Sequence, residues 1–291
     1  MAKLLLGSEV TAALHEQYRA EAERLAAAGV TPALAIVRVG ARPDDLSYER
    51  AAVRRAEKTG VAVRLCPLPE DAGQAALLET IRALNRDEAV HGVLLFRPLP
   101  AGYDEEAACA ALDPEKDADG ITSLSAAGVF LGSRLGWPPC TPSACLAVLD
   151  HYGVSCEGKR VTIVGRSRVV GRPLAMMLLG RNATVTLCHT KTADLAAECR
   201  RADILVAAAG RAGVIGEACL RPGQIVLDVG VNWDEREQRL RGDVDFEAAG
   251  RISEAVTPVP GGIGGVTAAV LVGHVVEAAA RKAAAAGISL R

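Results

Sequence analysis

The sequence lacks any strong imbalance of charge: 33 Lys and Arg stand against 35 Asp and Glu in 291 residues, a formal net charge of −2. That excludes the basic electrostatic footprint expected of a nucleic-acid-binding protein. Eight cysteines are present, yet none forms a CxxC pair and no Cys/His cluster has metal-ligand spacing. Cys140 and Cys145 are the nearest pair in sequence, and neither has the His or Cys neighbours that would complete a zinc site. Reduced thiols in a cytosolic protein are the simplest reading. The N-terminus MAKLLLGSEV has one Lys and a three-leucine run but no small-residue cleavage pattern. No apolar stretch is expected to reach ~18 uncharged residues. Nothing therefore points to export or a membrane, no metal is expected, and the expected compartment is the cytoplasm.

What the chain does have is length and apolar content. Half of its residues are hydrophobic, enough for two domains of ordinary size with sizeable cores. Helix and strand patterns alternate twice over. Residues 8–28 predict an Ala/Glu/Arg helix ended by Gly29, 32–40 a strand, and 45–59 a helix ended by Gly60. A strand VAVRLCPL, a helix over 73–86, a strand over 91–96 and a short helix over 104–112 follow. The Gly/Pro-rich stretch 126–142 reads as a loop before the helix SACLAVLDHYG. Further strands are expected at 161–165, 184–188, 203–208 and 225–229, and a long alanine-rich helix at 267–285. Alternating β and α with apolar strands implies an α/β fold of two domains with parallel sheets. The expected boundaries are 1–140 for the first domain, with helix 267–285 packing back on it, and 141–266 for a Rossmann-type dinucleotide-binding domain. A cleft between such domains is a natural substrate site.

Residues 161–173, VTIVGRSRVVGRP, carry the most specific local signal. A β-branched run feeds a turn opening with Gly165 and closing with Gly171 and Pro173, followed by the apolar helix pattern LAMMLLG. A glycine turn at a helix start presents backbone N–H groups and the positive end of the helix dipole to a phosphate. The spacing is not G-x-G-x-x-G, so the fingerprint alone is weak. The next strand, ATVTLCHT, should end beside the adenosine ribose. NAD-selective domains usually place Asp or Glu there, yet no carboxylate occurs between Asn182 and Thr192. His189, Thr190 and Lys191, with Arg166 in the turn, suit a 2′-phosphate, so NADP is the expected cofactor. For Lys191 alone a solvated surface charge is the better explanation; the strand, turn, helix and strand together favour the nucleotide.

Six separated segments, PEKDADGIT (114–122), PPCTPSA (138–144), VGRSRVVGRP (164–173), LCHTKT (187–192), LDVGVN (227–232) and TPVPGGIGGVT (257–267), occur in one order. In these, and over nearly its whole length, the chain resembles the bifunctional methylenetetrahydrofolate dehydrogenase/methenyltetrahydrofolate cyclohydrolase (FolD) family. The resemblance implies hydride transfer from the one-carbon bridge of 5,10-methylenetetrahydrofolate to NADP. It implies a second step in which water opens the methenyl cation to 10-formyltetrahydrofolate, and it implies a homodimer. Hydride loss is driven by the folate nitrogens, so the protein mainly holds two rings face to face. Hydrolysis needs a positioned acid/base group.

The family's acid/base element is a Tyr followed four residues later by Lys on one helix face. Tyr48 matches the tyrosine, and the lysine position is Ala52. The family's V-Q-L-P-L-P strand motif is LFRPLP here, which puts Phe96 at the glutamine position and Arg97 after it. Both halves of a hydrogen-bonded pair are thus replaced together. Arg97 can supply charge or a hydrogen bond but not base chemistry, because the Arg pKa stays above ~12. The cyclohydrolase step is therefore expected to be lost or much weakened while the dehydrogenase survives.

By the same resemblance Asp119 binds the pterin and Tyr48 stacks on the aminobenzoate, with Pro98, Gly261 and Gly262 also on the substrate side. Gly165, Arg166, Ser167, Thr190, Lys191 and Val231 face the cofactor. Asp117 and Lys116 more plausibly shape the turn, Val231 by itself reads as a strand-end core residue, and His189 reads as ordinary. A further departure is Gly264-Gly265-Val266-Thr267 where the family has G-P-M-T; without the proline the loop is expected to be less constrained. Two other possibilities remain open: a fully bifunctional enzyme with a rearranged acid/base site, and a non-catalytic NADP or folate binder.

Overall fold

The computed structural model describes residues 1–235 and 237–290. In chain order its first half runs β1 (Lys3–Leu4), α1 (Gly7–Ala27), β2 (Ala33–Val39), α2 (Pro43–Lys58), β3 (Ala62–Leu68), α3 (Gly73–Arg86), β4 (Gly92–Leu95), α4 (Glu105–Ala111), α5 (Ser123–Leu131) and α6 (Cys140–His151). The second half runs β5 (Arg160–Val164), α7 (Gly171–Leu179), β6 (Thr184–Cys188), α8 (Leu195–Arg200), β7 (Ile204–Ala207), β8 (Ile225–Asp228), β9 (Asn232–Asp234), β10 (Arg239–Arg241), α9 (Phe246–Ile252), β11 (Ala255–Val256) and α10 (Ile263–Ala285). The chain divides into two compact units. One comprises Met1–Ala12 with Thr141–Thr267, the other Ala13–Cys140 with Ala268–Arg291.

The first unit is built on a six-stranded sheet in the order β1-β11-β8-β7-β5-β6. Every pairing is parallel. Its central strands are short apolar runs with all or nearly all residues buried, as helices on both faces of a parallel sheet require. β5 lies between β6, which follows it in sequence, and β7, which comes later. The chain order therefore reverses at β5, and the carboxyl ends of β5 and β7 flank the switch point where such sheets bind ligands. β9 and β10 form a separate antiparallel hairpin.

The second unit holds a three-stranded parallel sheet, β3-β2-β4. β2 is central and buried in six of its seven residues, while β3 at the edge alternates between partly buried and exposed. Val37, Leu77, Ile81, Val93 and Leu112 pack one face. Gly92 leaves no room for a side chain beside α10: an added Cβ would lie 2.7 Å from Val275 Cγ2.

Four expectations are corrected. Residues 1–12, expected in the first domain, belong with the nucleotide-type sheet. β1 pairs with β11, and the Leu5 and Gly7 amides donate to Val256 (2.9 Å) and Gly261 (2.8 Å). The stretch 126–142 is not all loop, because α5 runs to Leu131. Thr122 caps α5 by accepting the Ser125 amide, and Gly132 ends it in the left-handed conformation. The mid-helix Gly128 is there for space: a Cβ would overlap the Leu135 carbonyl. Third, α10 begins at Ile263, so Gly264 to Thr267 form a helical first turn rather than a loop. Fourth, α10 is by length and composition apolar enough to cross a membrane, contrary to the expectation of no such stretch. In the fold 67% of its apolar window is buried, with Val272, Val275 and Val276 at 1% exposure or less.

Candidate functional site

The turn after β5 is built by close backbone approach. Gly165 has φ 131°, a conformation that disfavours any side chain, and a Cβ there would overlap the Ala208 carbonyl oxygen beyond β7. A Cβ on Gly171 would in turn overlap the Gly165 carbonyl. The turn is thus pressed against the neighbouring strand end at the switch point. Ser167 Oγ accepts the Val170 amide at 3.0 Å, and the Ser167 carbonyl accepts the Arg172 amide at 3.1 Å. No side chain caps α7, and with the Arg172 and Leu174 amides bonded within the turn and no N–H on Pro173, the Gly171 N–H and the positive end of the helix dipole are what the start of α7 offers a ligand. Arg166, Ser167 and Arg168 are exposed around them.

At the end of β6 the His189 amide donates to Thr192 Oγ1 at 2.9 Å, and His189 Nδ1 accepts the Lys191 amide at 3.1 Å. His189, which by spacing belongs to no ligand cluster, accepts this one amide in the turn that leaves Thr190 and Lys191 exposed.

A pocket of about 270 Å³ opens beyond β8 and β11, with Val231, Leu240, Pro258, Gly261, Gly262 and Gly265 in its lining. Val231 is 61% exposed, which corrects the expectation of a core residue. Two aspartates that the sequence did not single out hold these loops. Asp228 is buried and accepts the amides of Gly230, Asp243 and Val244 at 3.0, 2.9 and 3.0 Å. Burial pushes its carboxyl up to about 6 against those hydrogen bonds. Asp243 accepts the amides of Ala209, Gly210 and Arg211 at 2.6 to 2.8 Å and Nδ2 of Asn232 at 2.9 Å. Each aspartate faces a glycine, since a Cβ on Gly230 or Gly242 would overlap the carboxylate of Asp243 or Asp228. The Gly-Asp in RGDVD was the available signal.

In the other unit, Tyr48 projects from α2 at 45% exposure, and its ring centroid lies 5.4 Å from that of Phe96. Ala52, one turn along the helix, is 7% exposed and Phe96 6%. Glu49 is tied to Arg38 at 2.9 Å. Burial, followed by the charge of Asp119, pushes the Tyr48 hydroxyl up to about 12. Asp119 itself is pushed up to about 6 by burial, against a hydrogen bond from Cys140 and the charge of Arg97. Pro98 is exposed, and its carbonyl accepts from Arg42 at 2.8 Å.

The expected turn-shaping roles of Asp117 and Lys116 are met. Asp117, fully buried, accepts the Ile121 and Thr122 amides and Ser125 Oγ at 2.7 to 2.9 Å. Lys116 Nζ donates to the Leu84, Asn85 and Asp87 carbonyls at 2.7 to 2.8 Å. Tyr48, Phe96, Asp119 and Arg97 thus form one constellation. Gly165, Arg166, Ser167, Thr190 and Lys191 lie on the two loops after β5 and β6, and Val231, Gly261 and Gly262 line the pocket.

Comparison with known proteins places this geometry in context. Residues 5–119 match the catalytic-domain model of the tetrahydrofolate dehydrogenase/cyclohydrolase family, and residues 139–283 match its NAD(P)-binding-domain model. The chain is 43% identical over 276 residues to a protein from Clostridioides difficile named bifunctional protein FolD, covering 95% of this chain and 96% of that one. Among solved structures, the bifunctional methylenetetrahydrofolate dehydrogenase/cyclohydrolase of Campylobacter jejuni superposes with a TM-score of 0.93 at 36% identity, over 97% of this chain and 99% of that one. The Trypanosoma brucei dehydrogenase-cyclohydrolase, solved with NADP and an inhibitor, gives 0.89 at 33% identity, over 96% and 98%.

Proposed function

The chain belongs to the tetrahydrofolate dehydrogenase/cyclohydrolase family, and on that premise we propose that it is an NADP-dependent 5,10-methylenetetrahydrofolate dehydrogenase whose cyclohydrolase step is lost or much weakened. The observation that carries this reading is the pair of buried apolar side chains beside Tyr48. Ala52 has no atom that transfers a proton, Phe96 has none that would orient a donor, and Tyr48, held near 12, keeps its proton at neutral pH. The oxidation makes no such demand. The C–H bond of the methylene bridge breaks with both electrons leaving on the hydride, and the adjacent nitrogen lone pairs hold the resulting methenyl cation.

The chain's own residues then bind and orient. Asp119, ionised above about 6, accepts pterin N–H groups, and the exposed Tyr48 ring carries the aminobenzoate. The uncapped start of α7, Arg166 and Ser167 fit the dinucleotide phosphates, while Thr190 and Lys191 fit a 2′-phosphate better than a free hydroxyl. When bound, NADP supplies the hydride acceptor. Similarity to the NADP-bound Trypanosoma brucei structure supports the same choice.

One observation favours a second reading, in which both activities persist: Asp119 titrates near 6, within the range of a general base. A carboxylate that accepts pterin N–H groups has its lone pairs engaged, which argues against that double duty. The test supplies methylenetetrahydrofolate and NADP and follows NADPH and folate product together. Methenyltetrahydrofolate accumulating in step with NADPH is expected. Prompt conversion to 10-formyltetrahydrofolate would favour the second reading, and NADP binding without reduction would mark a non-catalytic binder.

A further inference from the structure

The hairpin β9–β10 stands outside both larger sheets, and its side chains divide by face. Asn232 turns toward the fold: its Nδ2 donates to Asp243 Oδ1 at 2.9 Å and to the Arg241 carbonyl at 3.3 Å. Strand alternation puts its neighbours Val231 and Trp233 on the opposite face. There the antiparallel register sets Leu240 across from Trp233, with their Cβ atoms about 5 Å apart. Val231, Trp233 and Leu240 are 61%, 57% and 38% exposed, beside the Arg241–Asp234 ion pair at 3.1 Å. Single apolar residues on a surface need no explanation, but three on one hairpin face, rimmed by charge, mark a binding surface.

The pocket and the sheet order say what covers it. Val231 and Leu240 line the pocket of about 270 Å³ together with Pro258, Gly261 and Gly265. That volume lies just under the range of small-molecule sites, with room for one flat ring and not for a whole dinucleotide. From the β5 turn, β6 with Thr190 and Lys191 lies to one side, and β7 and β8 lie to the other. The carboxyl end of β8, where the pocket opens, is two strands from β5, about 10 Å at the usual spacing. A dinucleotide with its diphosphate at the β5 turn and its 2′-phosphate beyond β6 therefore brings its nicotinamide to this pocket.

We propose that Trp233 and Leu240 are cofactor-binding residues: the nicotinamide half of bound NADP covers the apolar face of hairpin β9–β10, with Leu240 in the pocket wall and Trp233 at its mouth. This rests on the assignment of the cofactor to the loops after β5 and β6. The oxidised ring is cationic, and an indole attracts a cation more strongly than any other side-chain ring, so a tryptophan suits this position better than an aliphatic residue of similar size.

The test titrates the unsubstituted protein, Trp233→Ala and Trp233→Phe with NADP and with adenosine 2′,5′-bisphosphate, which carries the 2′-phosphate but no nicotinamide. Calorimetry reads affinity. Fluorescence reads Trp233 itself, as the difference between the unsubstituted protein and Trp233→Ala, since the only other tryptophan, Trp137, is 2% exposed. NADP should shift the Trp233 emission to the blue as water leaves the indole, and the bisphosphate should not. Trp233→Ala should weaken NADP about tenfold, the loss of one aromatic contact to a cation, and leave the bisphosphate unchanged; Trp233→Phe should recover most of the loss. Equal weakening of both ligands, or of neither, overturns the proposal and leaves the cofactor reading intact. Emission that shifts with protein concentration and not with NADP would put a second copy of the chain on this face and overturn it as well. An unsubstituted protein that binds neither ligand would refute the cofactor reading, and the proposal with it.

Discussion

Replacing Ala52 by lysine and Phe96 by glutamine, singly and together, gives a four-member cycle whose energetics follow from where these side chains lie. Phe96 is 6% exposed and in ring contact with Tyr48. Removing a buried Phe to Ala costs roughly 3–5 kcal/mol. Glutamine keeps part of the volume but buries an amide, so about 3 kcal/mol is expected for Phe96→Gln. Ala52→Lys places an ammonium at a position 7% exposed with only an apolar ring as the intended partner, a cost of about 2–3 kcal/mol after the stem reaches toward solvent. In the double variant the glutamine oxygen accepts from the lysine. The two losses should therefore fall short of additivity by about 1–3 kcal/mol. Urea unfolding of the four proteins, with unchanged m values, reads this directly. The double variant alone should gain methenyltetrahydrofolate hydrolysis above the spontaneous rate. Additive losses within about 0.5 kcal/mol, with no hydrolysis gained, would refute the assignment of these positions.

Four other outcomes are expected. KM for methylenetetrahydrofolate should rise as pH falls through about 6, where Asp119 takes up its proton, and Asp119→Asn should abolish this dependence. Because the folded-state pKa of Asp119 lies above its ordinary value, its contribution to stability is present below about 4 and is lost as pH rises through about 6; a pH series of melting temperatures for the two proteins should diverge in that window. Gly165→Ala forces a side chain into φ 131° and onto the Ala208 carbonyl, so NADP affinity measured by calorimetry should fall at least about tenfold, with about 2 kcal/mol or more of stability lost. Gly265→Ala meets nothing closer than Thr11 Oγ1 at 3.8 Å and lies in the first turn of α10. It should add about 0.5–1 kcal/mol, seen as a rise of a few degrees in Tm.

The elements most legible in the sequence were those whose pattern is local. Helix 73–86 was read with the bounds Gly73–Arg86, and β6 lies at 184–188 as expected, because glycine and apolar periodicity mark them without outside help. α5 was missed because Gly128 and Gly132 read as breakers, whereas one yields to the Leu135 backbone and the other is the cap. β1 has two residues, too few for any period, and only its pairing with β11 assigns residues 1–12 to their unit. The site residues came from motif resemblance rather than periodicity. What that route could not reach were long-range supports: Asp243 gathers amides 32 to 34 residues away, and His189 shapes a turn through a ring nitrogen. Such contacts leave no spacing to read.

The account's central claim is that the wall at Ala52 and Phe96 retains no proton-transfer machinery for opening the methenyl ring. Methenyltetrahydrofolate mixed with the unsubstituted protein near neutral pH, its decay followed against a protein-free control, tests this most directly. The account predicts that the two decays coincide while the same preparation reduces NADP with methylenetetrahydrofolate. A decay that accelerates in proportion to protein concentration would contradict it.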